Sequence, residues 1–138
     1  MSLTWREQLS VGNDLIDSDH KYLIEIINLA ESNLQSKRWM ELQTSFDQLT
    51  RYSSAHFVTE EKIAKAVGYP QADQLHESHT ELILKLAQMA KEVNETWSQQ
   101  ATDGFIALLR EWLINHVIKE DMLLKPYLKK YSPRFDPR

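Results

Sequence analysis

The sequence predicts an all-α protein: an antiparallel up-down-up-down four-helix bundle with a metal site in its core. Three observations lead there. Glycine occurs only at Gly12, Gly68 and Gly104 in 138 residues, and the prolines are Pro70, Pro126, Pro133 and Pro137, so long stretches carry no helix breaker. Apolar residues in those stretches recur at alternating spacings of four and three, the seam of a helix packed in a bundle. Histidines and acids interrupt that seam at matching levels, which an ordinary apolar core would not tolerate.

Helix A is expected from about Ser18 to Gln35, with Leu23, Ile26, Ile27, Ala30 and Leu34 on its apolar side. Helix B is expected from about Trp39 to Val67, with the seam Leu42, Phe46, Leu49, Ser53, His56, Glu60, Ile63 and Val67. The break at Gly68-Tyr69-Pro70 ends it. Helix C is expected from about Ala72 to Thr96, with Leu75, His79, Leu82, Leu86, Met89 and Val93 inward. Helix D is expected from about Thr102 to Leu124, with Phe105, Leu108, Leu109, Trp112 and His116 inward, until Pro126 ends or kinks it. Short connections between four such helices give the up-down-up-down topology. The chain reads as a single domain over 1–138, with an N-terminal loop over about 1–17 and a loosely held tail over about 129–138.

Composition narrows the chemistry. Twenty Asp and Glu against sixteen Lys and Arg give a net charge of −4, which argues against a nucleic-acid binder. With no cysteine, disulfides, thiolate sites and iron–sulfur clusters are excluded. A metal would be held by nitrogen and oxygen donors, a set suited to iron, manganese or zinc. The N-terminus has no secretory pattern and no apolar run reaches membrane-spanning length, so the expected location is the cytoplasm, without membrane contact. Trp5, Trp39, Trp97 and Trp112 read as packing residues, and the charged outer faces as solvated helix surface.

All five histidines lie at or beside inward positions: His20 opening helix A, His56 on B, His76 and His79 on C, and His116 on D. Glu60 follows His56 by one turn, and Asp121 follows His116 by five residues. Burying these groups costs several kcal/mol unless they are paired or bind a metal. In an antiparallel bundle, the beginnings of A and C lie level with the later halves of B and D. All seven side chains are therefore expected to meet at one end, as a dinuclear ligand set with two carboxylates able to bridge. The Glu-x-x-His repeat of ferritin-like sites is missing, since Asp17, Ser53, Asp73, His76 and Leu113 stand three before the histidines.

The motifs in this order resemble the bacterial hemerythrins, from Trp5 to about Tyr127. The elements are Trp5-Arg-Glu-Gln-Leu-Ser-Val-Gly12, Ile16-Asp-Ser-Asp-His20-Lys21, His56-Phe-Val-Thr-Glu60-Glu61, Gly68-Tyr-Pro70 and His116-Val-Ile-Lys-Glu-Asp121. The resemblance implies two iron ions in an oxo- or hydroxo-bridged non-heme centre that binds O2 reversibly, for storage, delivery or scavenging. NO and other small anions are further ligands it admits at the iron. By the same resemblance, His20 and His56 hold the iron with the open position. His116, His76 and His79 hold the other, and Glu60 and Asp121 bridge the two. Leu23, Phe57, Trp112, Leu113 and Val117 match apolar positions of the family's O2 pocket, while ordinary core packing accounts for each of them equally well.

One departure stands out. The family's helix C element is His-x-x-x-His, whereas here His76 and His79 are separated by two residues and Leu75 stands four before His79. His76 is thus displaced by roughly 100° around the helix. A rotamer change or a local helix distortion is expected to deliver it to the iron; otherwise it points sideways and one iron lacks a histidine. The leading expectation is an O2-binding protein and not an enzyme. The alternatives are an O2, NO or redox sensor acting on a partner protein, peroxide or NO reduction, and a degenerate site.

Overall fold

The computed structural model describes residues 3–93 and 96–137. Asn13 starts the first helix: its side-chain oxygen accepts from the N–H groups of Leu15 and Ile16 at 3.1 and 3.2 Å, satisfying two otherwise orphaned donors. This cap sets the start of α1 at Asp14–Gln35, four residues before the expected position. A left-handed Lys37 at φ 57° then reverses the chain, with Arg38 N–H donating back to Asn33 O at 2.9 Å. Helix α2 spans Trp39–Ala66. It ends in a Schellman turn, with Gly68 at φ 76° and Tyr69 N–H donating to Ala64 O at 2.9 Å. Helix α3 spans Ala72–Glu92, and Val93 turns extended at ψ 130°, short of the end expected at Thr96. Of the residues in between, Asn94 and Glu95 lie outside those described.

Helix α4 begins earlier than expected, at Gln99–Glu111, because Ser98 Oγ accepts from Ala101 N–H at 3.2 Å. It does not run on as one α-helix to Leu124. A π-helical segment occupies Trp112–Ile118, α geometry returns over Lys119–Asp121, a 3₁₀ turn covers Met122–Leu124, and a last α turn covers Lys125–Leu128. The four rods form an all-helical, antiparallel bundle, with no strand among the described residues.

The core falls into two apolar clusters. The larger contains Leu23 of α1, Phe57 of α2, Leu82 of α3, and Leu113 and Val117 of the π segment. The smaller contains Ile16, Ile63, Leu75 and Leu124. Along α1 and α3 the chain passes from the small cluster to the large one; along α2 and the fourth rod it passes back. That alternation is the up-down-up-down topology. It also fixes one level on each rod, between the clusters, where an inward residue belongs to neither.

Segments near both ends of the described residues are tied to α1 or its cap. Asn28 on α1 exchanges two hydrogen bonds of 2.9 Å with the backbone of Leu3. The tail, expected to be loosely held, offers Pro133 O to Asp14 N–H at 2.7 Å and Phe135 O to Asn13 Nδ2 at 3.0 Å. No helix among the described residues is long and apolar enough to cross a membrane.

Candidate metal centre

At the level between the two clusters every rod contributes polar side chains. His20 of α1, His56 and Glu60 of α2, His79 of α3 and Asp121 of the fourth rod are all buried, none more than 3% exposed. Their spacing explains the placement. His20 lies between Ile16 and Leu23, Glu60 between Phe57 and Ile63, His79 between Leu75 and Leu82, and Asp121 between Val117 and Leu124, each one helical turn from its apolar neighbours.

The imidazole Nε2 atoms converge on the two carboxylates. His20 Nε2 lies 2.6 Å from Asp121 Oδ2, and His56 Nε2 lies 3.2 Å from the same oxygen and 3.0 Å from Glu60 Oε2. His79 Nε2 lies 3.2 Å from Glu60 Oε1. One donor atom each from His20, His56, Glu60 and Asp121 falls within 4.8 Å of all the others, and His79, Glu120 and Asp121 form a second such group. Acids on the far side of two rings fix their orientation. His56 Nδ1 lies 2.9 Å from Asp19, which also accepts from Tyr52 OH, and His79 Nδ1 lies 2.9 Å from Glu61. With Nδ1–H donating outward, each Nε2 lone pair is left for a cation at the centre.

Without a cation the cluster must hold protons. Burial lowers the His56 pKa, but hydrogen bonds to Asp121, Asp19 and Glu60 outweigh it and raise it well above the usual range. His79 shows the same balance, raised by Glu60 and Glu61 against burial. Burial and the Asp121 charge push Glu60 up to about 8. Burial also pushes Asp121 up, yet hydrogen bonds from Glu60, His20 and His56 prevail and hold it below the ordinary carboxylate range. Glu120 is raised, first by burial and then by Asp121. Even so, His20 Nδ1 and Asp121 Oδ1 are buried without a hydrogen-bond partner, and Glu60 Oε2 meets only His56 Nε2, at 3.0 Å. Inward-facing Nε2 atoms and an orphaned carboxylate oxygen are what a metal cation satisfies, so the residues present fit one.

A family model, the hemerythrin HHE cation binding domain, matches residues 11–128. The chain belongs to the hemerythrin family. Similar relatives include bacteriohemerythrins from Campylobacter jejuni, 29% identical over 94% of this chain and 99% of theirs, and from Pseudomonas paraeruginosa, 29% identical over 86% and 76%. One from Stenotrophomonas maltophilia is 26% identical over 96% of this chain and 86% of its own. Among solved structures, a leucine-to-phenylalanine mutant aligns with a TM-score of 0.76 at 25% identity, over 91% of this chain and 96% of that one. Family membership implies non-heme iron, in agreement with the nitrogen and oxygen donor set.

Of the seven ligands expected from the sequence of this hemerythrin, five meet: His20, His56, Glu60, His79 and Asp121. The other two lie at the surface. Leu75 takes the inward position one turn before His79 and packs in the smaller cluster. His76 points away, its side chain 68% exposed and its Nδ1 2.6 Å from Glu61 Oε1. On the fourth rod the inward row is Leu109, Leu113, Val117 and Asp121, four apart, and His116 falls one residue off it. Its side chain is 43% exposed, with Nε2 3.7 Å from Glu111. It lines an open cleft of about 430 Å³ with Ser78, Lys85, Lys119 and Glu120. Leu108, expected inward, is exposed for the same reason. Asp19, Glu61 and Glu120 were not expected at the site. The signal available for Asp19 and Glu61 was their position directly beside His20 and Glu60.

The expected apolar pocket residues Leu23, Phe57, Trp112, Leu113 and Val117 are all buried in the larger cluster. Trp112 is pinned by its indole N–H donating to Leu82 O at 2.9 Å. Phe57 lies against the centre itself, its ring centroid 3.9 Å from that of His79 and 5.6 Å from that of His56.

Proposed function

We propose that this hemerythrin binds O2 reversibly at a non-heme di-iron centre held by His20, His56, Glu60, His79 and Asp121. The observation that carries this reading is the buried ring of Nε2 atoms and carboxylates with an orphaned oxygen on Asp121, roofed on one side by the larger apolar cluster. Iron bound there would supply the reducing electrons that let O2 be taken up and given back.

The chain's own residues make uptake reversible in three ways. Asp19 and Glu61 hold the rings of His56 and His79 with Nε2 inward, so ligand geometry is set before metal arrives. Leu23, Phe57, Leu113 and Val117 exclude water, which would draw off a bound reactive species. Glu60 faces His56 with Oε2 and His79 with Oε1, and Asp121 belongs to both donor groups, so these two carboxylates would be the ones shared between two cations. We infer carriage rather than turnover, because the acids and bases around the centre are committed to holding ligands.

The test is to load the protein with Fe(II) anaerobically, expose it to O2, and then lower the O2 pressure while following visible absorption. A charge-transfer band that appears and disappears with O2 pressure supports carriage. Irreversible oxidation without such a band moves the assignment to a sensor. Steady O2, NO or peroxide consumption with a reductant moves it to an enzyme.

A further inference from the structure

The second donor group contains a residue that the sequence motifs do not assign. We propose that Glu120 is a metal ligand, completing with His79, Glu60 and Asp121 a carboxylate-rich site beside the histidine-rich site of His20 and His56. This rests on the iron-centre reading above and specifies the ligands of its second half.

Four observations converge on it. Donor atoms of His79, Glu120 and Asp121 lie within 4.8 Å of one another, and His79 Nε2 is also 3.2 Å from Glu60 Oε1. Asp121 is fully buried; its Oδ2 faces His20 and His56, while its Oδ1 has no partner at all. A fully buried carboxylate oxygen without a hydrogen-bond partner calls for a cation independently of the acidic grouping. The Glu120 carboxylate is held in place by Ser78 Oγ of α3, at 2.9 and 2.7 Å from its two oxygens, and each oxygen keeps lone pairs for a metal. The two histidines that would otherwise serve here are both at the surface, His76 on Glu61 and His116 near Glu111.

The consequence is an asymmetric centre. One site has two imidazoles and the two shared carboxylates; the other has one imidazole and three carboxylates. Oxygen-rich donor sets favour hard cations and hold them less tightly than imidazole-rich ones. The second site should therefore accept Mn(II) and Fe(II), fill last and empty first. Ser78 is a positioning residue for Glu120.

The test uses the full chain stripped of metal and titrated anaerobically with Mn(II). Free Mn(II) is read by electron paramagnetic resonance and bound metal by equilibrium dialysis, with circular dichroism melts to confirm folding. Wild type should bind two Mn(II) with unequal affinity. Glu120→Gln should weaken the second by at least about tenfold while leaving the first unchanged. Glu120→Asp should fall between, and His116→Ala should keep both. If Glu120→Gln fails to fold, Ser78→Ala carries the test, with a several-fold loss confined to the second ion. Loss of the second ion in His116→Ala but not in Glu120→Gln would show that His116 swings inward, and would overturn the proposal. So would a wild-type protein that takes up a single Mn(II). Binding of neither Mn(II) nor Fe(II) would instead overturn the metal-centre reading, and this inference with it.

Discussion

Phe57 lies flat on His79, the ring centroids 3.9 Å apart and the planes 7° from parallel. The stack ties the larger apolar cluster to the polar layer and closes one side of His79 to water. Phe57→Ala should cost about 3–5 kcal/mol of stability in urea unfolding and speed the loss of iron to a chelator. Phe57→Leu should recover most of the stability without recovering iron retention. Equal retention in Phe57→Leu and wild type would reduce the stack to ordinary packing.

The acids behind the rings give a separate prediction. Asp19→Asn and Glu61→Gln remove the carboxylates that accept from His56 and His79 Nδ1–H. Each should lower metal affinity by roughly 10–100-fold. Competition with a chromophoric chelator measures it. Unchanged affinity in both variants would show that the rings are oriented by packing alone.

Much of this was legible in the sequence, and each miss has its own physical cause. The seam spacing places His20, Glu60, His79 and Asp121 at one level because each sits a helical turn from residues of both apolar clusters, and His56 joins them one turn before Glu60. His116 was read as inward on the row from Trp112, but the buried row runs through Leu113 and Val117. A π segment over Trp112–Ile118 spans this stretch, and spacing alone does not announce it. His76 was expected to reach the iron through a rotamer change or a helix distortion, with a sideways ring as the alternative. The α3 helix stays regular through this position, and Leu75 fills the inward place. Glu120 and Ser78 were invisible because their contact joins α3 to the fourth rod across the bundle.

The pH dependence should run in opposite directions with and without metal. In the metal-free protein His56 and His79 are raised above 6.5, and Glu60 is raised from 4.5 to about 8. A raised folded pKa gives stability that is complete below the unfolded value and lost as pH rises through the folded one. Asp121, held low, contributes the opposite slope, confined to acid pH. Melting temperature of the metal-free protein should thus fall from about pH 5.5 to 8.5. Metal must displace the same protons, so affinity should rise over that window, with protons released on binding. Calorimetry in buffers of different ionisation enthalpy counts them. A flat melting profile with no proton release would contradict the cluster's protonation.

Tyr52 provides a spectroscopic reporter outside the ligands. Burial first, then its hydrogen bond to Asp19, push its hydroxyl up to about 12. Ultraviolet titration of wild type minus Tyr52→Phe should show one phenol ionising late, near pH 12. Because that pKa is raised, the folded state loses stability as pH climbs through this range. Ionisation of this phenol at the ordinary value near 10 would show that Asp19 does not engage it.

The central claim is that the polar layer between the two apolar clusters is the iron site. The most direct measurement is a crystal structure of the Fe(II)-loaded protein with anomalous scattering recorded at the iron edge. The account predicts anomalous density inside the layer, contacting His20 Nε2, His56 Nε2, Glu60 and Asp121. A second peak should lie beside His79 and Glu120. An empty layer in iron-loaded crystals, or iron bound only at the surface around His76 or His116, would contradict it.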